Sequence, residues 1–337
     1  MLEGGDHMLV LAGDIGGTST RLAYFSTEGE NLTLLVDERY PSRKAGSLKE
    51  IVSHFTGKHR LTAETACFGI AGPARSGTVR TPNLPWSVNA EELAQALGIP
   101  KVQLINDMEA HLYGIDLLGP ENFEVLNRGV PNPNGAIALV SAGTGLGEAI
   151  AYRDGTARRP CPGEGGHADF APRNEIETEL LLYLRDKYGR VSNERVLSGP
   201  GLHNIYLFLR DVRHLPESPE VAEELLVNDP PAVITKAALA GRCPLCGQVL
   251  DLFVSLYGAE AGNAALRYLA TGGIYLGGGI APKIIERLKG PGFMLAFTSK
   301  GRMSPLLETI PVMVILNEQS ALLGAGRCAA RRKEKES

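Results

Sequence analysis

The stretch "LAGDIGGTSTRLAYF", residues 11–25, carries an apolar run into Asp14, turns on Gly16 and Gly17, and leaves through a second apolar run. Two strand-like segments joined by paired glycines read as an antiparallel hairpin, and a type I′ turn is the plain account of Gly-Gly there. An acid and a row of hydroxyls at the same turn call for more. Glycines let consecutive backbone N–H groups point into one concavity, where anionic oxygens are held with no side chain intervening. The device returns in "SAGTGLG", residues 141–147, again with a threonine hydroxyl. Gly16, Gly17 and Thr18 on one side, and Gly143, Thr144 and Gly145 on the other, are therefore expected to cradle phosphates, and two cradles point to a nucleoside triphosphate. A carboxylate beside phosphates is repelled unless a cation intervenes, so Asp14 implies Mg2+ held through water. No GK[ST] follows either turn, and residues 143–147 lack the GxGxxG spacing, which sets aside the P-loop and dinucleotide folds.

Outward from the first turn, strand-like runs are expected at 8–15, 20–26, 34–40, 65–70 and 102–106, with a helix over Glu91, Glu92 and Leu93 that stops at Gly98 and Pro100. After Asp107 the pattern repeats in kind. "AIALVSAG" and "EAIAYR" flank the second glycine turn, and helices follow: one capped by Asn174, one carrying Leu202, Ile205 and Leu209, and two opened by Ser218-Pro219 and Asp229-Pro230. A long helix over 248–270 contains Gly258 and Gly262, which would let a neighbour approach closely. "GGIYLGGGIA" and "VMVILN" read as strands, and 319–331 as a closing helix. No short-period repeat accompanies this, so solenoids and propellers are excluded.

With 337 residues, 44% hydrophobic and 21% charged, the chain is expected to fold as about two domains. A net charge of -4 offers nothing to attract nucleic acid or an anionic membrane. The most apolar run, from Ala136, is interrupted by glycines and Glu148, and the N-terminus is acidic where a secretory signal is basic, so a cytoplasmic protein is expected. Residues 1–7 read as an upstream extension and "RRKEKES" as a charged end. Of five cysteines only Cys243 and Cys246 form a CxxC pair, and nothing nearby completes a zinc site, so structural or incidental thiols are expected.

The remaining polar signals converge on an uncharged, hydroxyl-rich ligand. "LINDMEA" delivers Asn106 and Asp107 at the end of an apolar run, although Asp107 could equally cap a following helix. "PCPGEGGHADFAP" reads as a rigid loop whose glycines and prolines leave Glu164 and His167 to stand apart, a pair suited to neighbouring hydroxyls; His167 could instead be a satisfied loop histidine or half a metal site, for which no third ligand lies nearby. Glu194 precedes another Gly-Pro-Gly turn; by itself it would be a helix-face charge. Three carboxylates, an amide and an imidazole, without clustered cysteines, describe a sugar site.

These residues resemble the bacterial glucokinases, the ATP-dependent hexokinase type of the actin, Hsp70 and sugar-kinase superfamily. The resemblance runs through "GDIGGTSTRLA", "INDMEA", "AGTGLG", "PGEGGHADFAP", "ERVLSGPGL" and "GGIYLGGGI", from about residue 8 to 328. It implies a two-domain, ribonuclease H-like α/β fold with the active site in a cleft: a small domain of 8–110 plus 317–331 and a large one of 111–316. It implies Asp107 as base toward the 6-hydroxyl, with Asn106, Asp107, Glu164, His167 and Glu194 binding the sugar. Asp14, Gly16, Gly17, Thr18, Gly143, Thr144 and Gly145 would hold phosphates, and Gly277, Gly278 and Gly279 would lie near the adenosine. ATP and Mg2+ are the implied cofactors, glucose the partner, and a homodimer the implied assembly. A related family of kinases and repressors carries a cysteine-rich zinc signature after its GEGGH-like motif, and its repressors add an N-terminal DNA-binding domain. Here "ADFAPRNE" follows His167 and 13 residues precede Asp14, so neither zinc nor transcriptional control is expected. The readings left beside ATP-dependent glucose phosphorylation are a kinase for mannose, fructose or an N-acetylhexosamine, a polyphosphate donor, a non-catalytic sugar- or ATP-binding regulator, and an assembling ATPase.

Overall fold

A computed structural model describes residues 7–29, 31–72, 77–155 and 157–331. The segment 1–6 and the charged end beyond 331 lie outside the described residues. The chain gathers into two units, residues 1–120 with 317–337 and residues 121–316.

Unit 1 begins β1 (His7–Ile15), β2 (Ser19–Glu28), β3 (Asn31–Pro41), α1 (Leu48–His59), β4 (Thr65–Ile70), β5 (Thr78–Arg80), β6 (Ser87–Asn89), α2 (Ala90–Leu97), β7 (Lys101–Asn106) and α3 (Asp107–Ile115). Unit 2 continues with β8 (Phe123–Asn127), β9 (Ile137–Ala142), β10 (Leu146–Asp154), β11 (Ala157–Gly163), α4 (Glu175–Tyr188), α5 (Gly199–Asp211), α6 (Pro219–Val227), α7 (Pro230–Leu239) and α8 (Pro244–Tyr268). It ends with β12 (Gly273–Gly277), α9 (Ile285–Leu288), α10 (Pro291–Thr298), α11 (Ser304–Thr309) and β13 (Val312–Ile315), and α12 (Ser320–Ala330) returns to unit 1. Helix α3 runs unbroken through residue 110, and unit 1 extends to Pro120.

Each unit is built on the same sheet. In unit 1 the order is β3-β2-β1-β4-β7, antiparallel across β3, β2 and β1 and parallel across β1, β4 and β7. In unit 2 it is β11-β10-β9-β12-β13, with the same senses and β8 added antiparallel at the edge. Parallel strands need crossovers with helices, which cover the sheet faces and account for the nearly continuous burial of β4, β9 and β12. The mixed α/β class and the repeated strand, glycine turn and returning strand read from the sequence are both present.

Local chemistry explains most element ends. Asn89 and Asn174 cap α2 and α4 by accepting from Glu92 N and Glu177 N, and Gly98 closes α2 with φ at 64°. Ser218 and Asp229 stand at the starts of α6 and α7 as expected, yet neither side chain accepts a helix N–H; the following prolines set those starts. Helix α1, unforeseen from sequence, is capped by Ser47 and buries Leu48, Ile51, Val52 and Phe55. "ARRPCPG" is an edge strand and not a loop, a position where prolines cost no ladder bond. Cys243 and Cys246 are buried; the Cys243 thiol caps α8 by accepting from Cys246 N at 3.4 Å.

The long helix α8 is the spine of the unit 2 core, with Phe253, Leu256 and Tyr257 buried. A Cβ on Gly258 or Gly262 would run into the carbonyls of Phe293 or Phe297, so those glycines admit α10 at close range. In unit 1, Gly114 of α3 and Gly324 of α12 serve the same end, each facing the other helix's backbone. No single described helix is long and apolar enough to cross a membrane; α7 and α8 pass only as a pair bent by 101°.

Candidate active site

The sheet of unit 1 brings its candidate residues to one edge. Asp14, Gly69 and Asn106 sit near the carboxyl ends of β1, β4 and β7, in registers that pair Asp14 with Gly69 and Ile70 with Asn106. In α/β sheets that end is where strands hand side chains to ligands. Burial first, and then the charge of nearby Asp107, push the Asp14 carboxyl up to about 7, against the pull of Arg21 and Arg39. The two acids thus lie close enough to sense each other, and together they resist holding two negative charges.

Neither Gly16 nor Gly17 has a left-handed φ, so the plain type I′ hairpin is not what is built. Gly17 is needed for space, since a Cβ there would stand 2.7 Å from Asn83 Cβ. The turn is pinned from outside. Ser42 Oγ donates to Gly16 O at 2.8 Å, Ser42 N donates to Thr18 O at 3.1 Å, and the Ser42 and Thr20 hydroxyls share a bond of 2.9 Å. Ser42 and Asn83 were not legible as site residues: each is one ordinary polar residue far along the chain.

Asn106, not Asp107, is the residue preceding α3, and its Oδ1 accepts from Met108 N at 2.9 Å while its Nδ2 donates to Gly72 O at 3.1 Å. Asp107 Oδ1 also accepts from Met108 N, at 3.0 Å. The helix-cap role weighed for Asp107 is therefore shared, and Asn106 is buried in backbone support.

Unit 2 assembles its candidates around the second turn. Gly143 N donates to Gly145 O at 2.9 Å, closing the turn, and Gly199 N at the start of α5 donates to Gly143 O at 2.8 Å. Glu194 Oε2 accepts from Leu146 N at 3.0 Å, and a Cβ on Gly145 would collide with that same oxygen. Gly166 packs on the Leu146 carbonyl with no room for a Cβ. Glu164 and His167 bracket this contact, 4.0 Å apart and more than half exposed. Gly278 takes a φ of 80° and lies against Ala142 O; Ile280 N donates to that carbonyl at 3.2 Å. A Cβ on Gly279 would meet nothing, leaving its backbone open. Gly143, Gly145, Glu194, Glu164, His167 and Gly278 thus belong to one neighbourhood of unit 2.

Beneath it sits an acid that the sequence showed only as an interruption of an apolar strand. Glu148 is 2% exposed, both its oxygens lack a hydrogen-bond partner among the described residues, and a Cβ on Gly165 would fall on Oε2. Arg267 Nη1 stands 3.7 Å away, and Glu260 faces it. Burial, then the Glu260 charge, push Glu148 up to about 8, so it is a neutral acid at pH 7.

Among the described residues no group of three His, Cys, Asp or Glu could hold a metal ion. One desolvated carboxylate with a raised pKa fits a hydrated Mg2+ that takes its other ligands from water and phosphate.

The glucokinase family model matches residues 11–332, nearly the whole chain. The chain belongs to the glucokinase family. A glucokinase of Nostoc punctiforme is 48% identical over 338 residues, spanning 96% of this chain and 99% of its own. A crystal structure of a glucokinase from an Antarctic psychrotroph superposes with a TM-score of 0.82 at 31% identity, covering 95% of this chain and 98% of that one. A Balamuthia mandrillaris glucokinase, solved in complex with glucose, shares the fold at a TM-score of 0.77 and 21% identity, covering 97% of this chain and 95% of its own. Members of this family share the two-domain actin-like ATPase fold, and the doubled sheet described above is that fold.

Proposed function

We propose that the protein is an ATP-dependent glucokinase, transferring the terminal phosphoryl group of ATP to the 6-hydroxyl of D-glucose. The observation that carries this reading is the full-length relationship, 48% identity over 96% of the chain.

Phosphoryl transfer asks a protein mainly for alignment and charge neutralisation. The backbone N–H groups of Gly17, Thr18, Thr144 and Gly145 hold phosphate oxygens, while Gly16 and Gly143, whose own N–H groups close their turns on Ser19 O and Gly145 O, shape the two cradles, with Gly277, Gly278 and Gly279 beside the nucleoside. Asp14 would hold Mg2+ through water, and the bound ion would supply charge neutralisation at the phosphates. Asp14 must give up its proton to face a cation, which its raised pKa makes pH-sensitive near neutrality. Asn106, Glu164, His167 and Glu194 bind the sugar hydroxyls. Asp107 accepts the proton of the 6-hydroxyl as the O–P bond forms, because a carboxylate is too weak a base to remove it beforehand. The protein acts in the cytoplasm, at the entry to glycolysis, as a homodimer.

A coupled assay over a panel of hexoses and phosphate donors tests the assignment. MgATP with glucose should give the highest kcat/KM; a preference for another hexose, for polyphosphate, or no turnover with any pair overturns it. Light scattering with a single peak at dimer mass tests the assembly.

A further inference from the structure

Within unit 2 a cavity of about 190 Å³ opens beside the segment that follows His167. Its walls include Arg173, Asn193, Glu260, Asn263, Arg267 and Lys300. We infer that this cavity is a binding site for a small oxyanion, a phosphate or carboxylate group, and that its occupancy is linked to the glucose residues Glu164, His167 and Glu194.

Donors in excess of acceptors carry the first half. Arg173 is paired with fully buried Glu177, and Arg267 with Glu260 at 2.7 Å, so those charges are matched within the protein. Lys300 is not: among the described residues its ammonium donates only to two neutral oxygens, Ala259 O at 3.0 Å and Asn263 Oδ1 at 2.6 Å. Desolvation first and then the neighbouring Arg173 guanidinium hold its pKa below the usual lysine value, against the pull of Glu260 and Glu177 at longer range, a situation a bound anion relieves. Asn193 is 4% exposed, and its Nδ2 has no hydrogen-bond partner. One unmatched cation and two guanidinium groups specify an anionic oxygen ligand. On this measure one water needs about 10–15 Å³, so the cavity has room for a phosphate or a small carboxylic acid.

Covalent and hydrogen-bonded continuity carries the second half. One wall, residues 168–170, is laddered to residues 191–193: Phe170 N donates to Val191 O at 3.0 Å, and Asn193 N donates to Ala168 O at 2.9 Å. His167 ends the first segment and Glu194 ends the second, while Arg190 donates to His167 O at 2.6 Å. A ligand that orders Asn193 therefore acts on the residues adjoining both. This half rests on the proposed glucose site; the first does not.

Calorimetry on the full chain, with inorganic phosphate in one arm and pyruvate in another, tests the site. Phosphate contacts made elsewhere are common to all variants, so Lys300 substitutions isolate the cavity. Lys300→Gln should weaken binding of the preferred anion roughly tenfold or more, the effect of losing one charge-assisted bond, while Lys300→Arg should retain it. The arm that binds names the oxyanion. Equal binding by the parent and both variants, or none in either arm, overturns the site. Should Lys300→Gln fail to fold, the parent decides: the Asn193 side-chain amide resonance must shift during the titration, and an unmoved signal overturns the site. Glucose titrations with and without the bound anion should differ several-fold in Kd; identical values with proven anion binding overturn the linkage. Failure to bind glucose at all would instead refute the proposed function and leave the anion result standing.

Discussion

Replacing Glu148 by Gln should stabilise the protein at neutral and alkaline pH and abolish one component of its pH dependence. Glu148 lies almost wholly buried under the Gly165 backbone with its pKa raised to about 8 from 4.5. Below pH 4.5 the folded and unfolded chains both hold this proton and nothing is lost. Between 4.5 and 8 the unfolded chain releases it while the folded chain keeps it, so stability falls as pH rises, by about 1.4 kcal/mol per pH unit. Above 8 both forms are ionised and the loss levels off at about 5 kcal/mol. Glutamine reproduces the neutral acid, offers its amide to Glu260, and has no proton to lose. Urea unfolding of parent and Glu148→Gln, followed by circular dichroism at pH 5, 7 and 9, should therefore give near-equal stabilities at pH 5 and a variant more stable by about 3 kcal/mol at pH 7. The difference between the two proteins is the quantity to read, because the raised pKa of Asp14 tilts the parent's own curve in the same direction. Parallel curves with a constant offset would refute the reasoning and mean that Glu148 is ionised in the fold.

Three further outcomes bear on the chemistry. Asp107→Asn should lower kcat by about two to four orders of magnitude and leave glucose binding by calorimetry intact, and Asn106 still caps α3, so near-parental turnover with an unaltered circular dichroism spectrum would reassign the base. Asp14→Ala should raise KM for MgATP without changing glucose affinity; in the parent that KM should climb as pH drops below about 7, and a parent profile no steeper than the variant's would remove Asp14 from the cation. Gly145→Ala puts a methyl group where Glu194 Oε2 sits against Leu146 N, so glucose KM should rise while the thermal midpoint barely moves, and unchanged initial rates at low glucose would show that Glu194 need not be held there.

Much of the molecule was legible because its signals are local. The strands around both glycine turns, the Asn174 cap, the Gly98 stop and the need for small residues at Gly258 and Gly262 each depend on a few neighbouring residues. Helix α1 escaped because "LKEIVSHFTGKH" carries charges between its buried positions and only a sheet face tells which side is apolar. "PCPG" read as a loop because proline forbids central strands, and edge placement is a fact of strand order, not of the segment.

The sequence by itself determined that this chain repeats a strand, glycine turn and returning strand, that acids and hydroxyls stand at those turns, and that it belongs with the glucokinases. Only the tertiary structure decided why the glycines are required. Gly17 yields to Asn83, Gly145 to Glu194, and Gly165 to Glu148, partners distant in sequence, and none of these three turns on a left-handed φ. The same holds for charge. Asp14 and Glu148 look like ordinary carboxylates in the sequence, and they become acids that titrate near neutrality only when folding strips their water and sets Asp107 and Glu260 beside them. Composition and spacing specify which groups are present; solvation and proximity, which set their chemistry, exist only once distant segments have packed together.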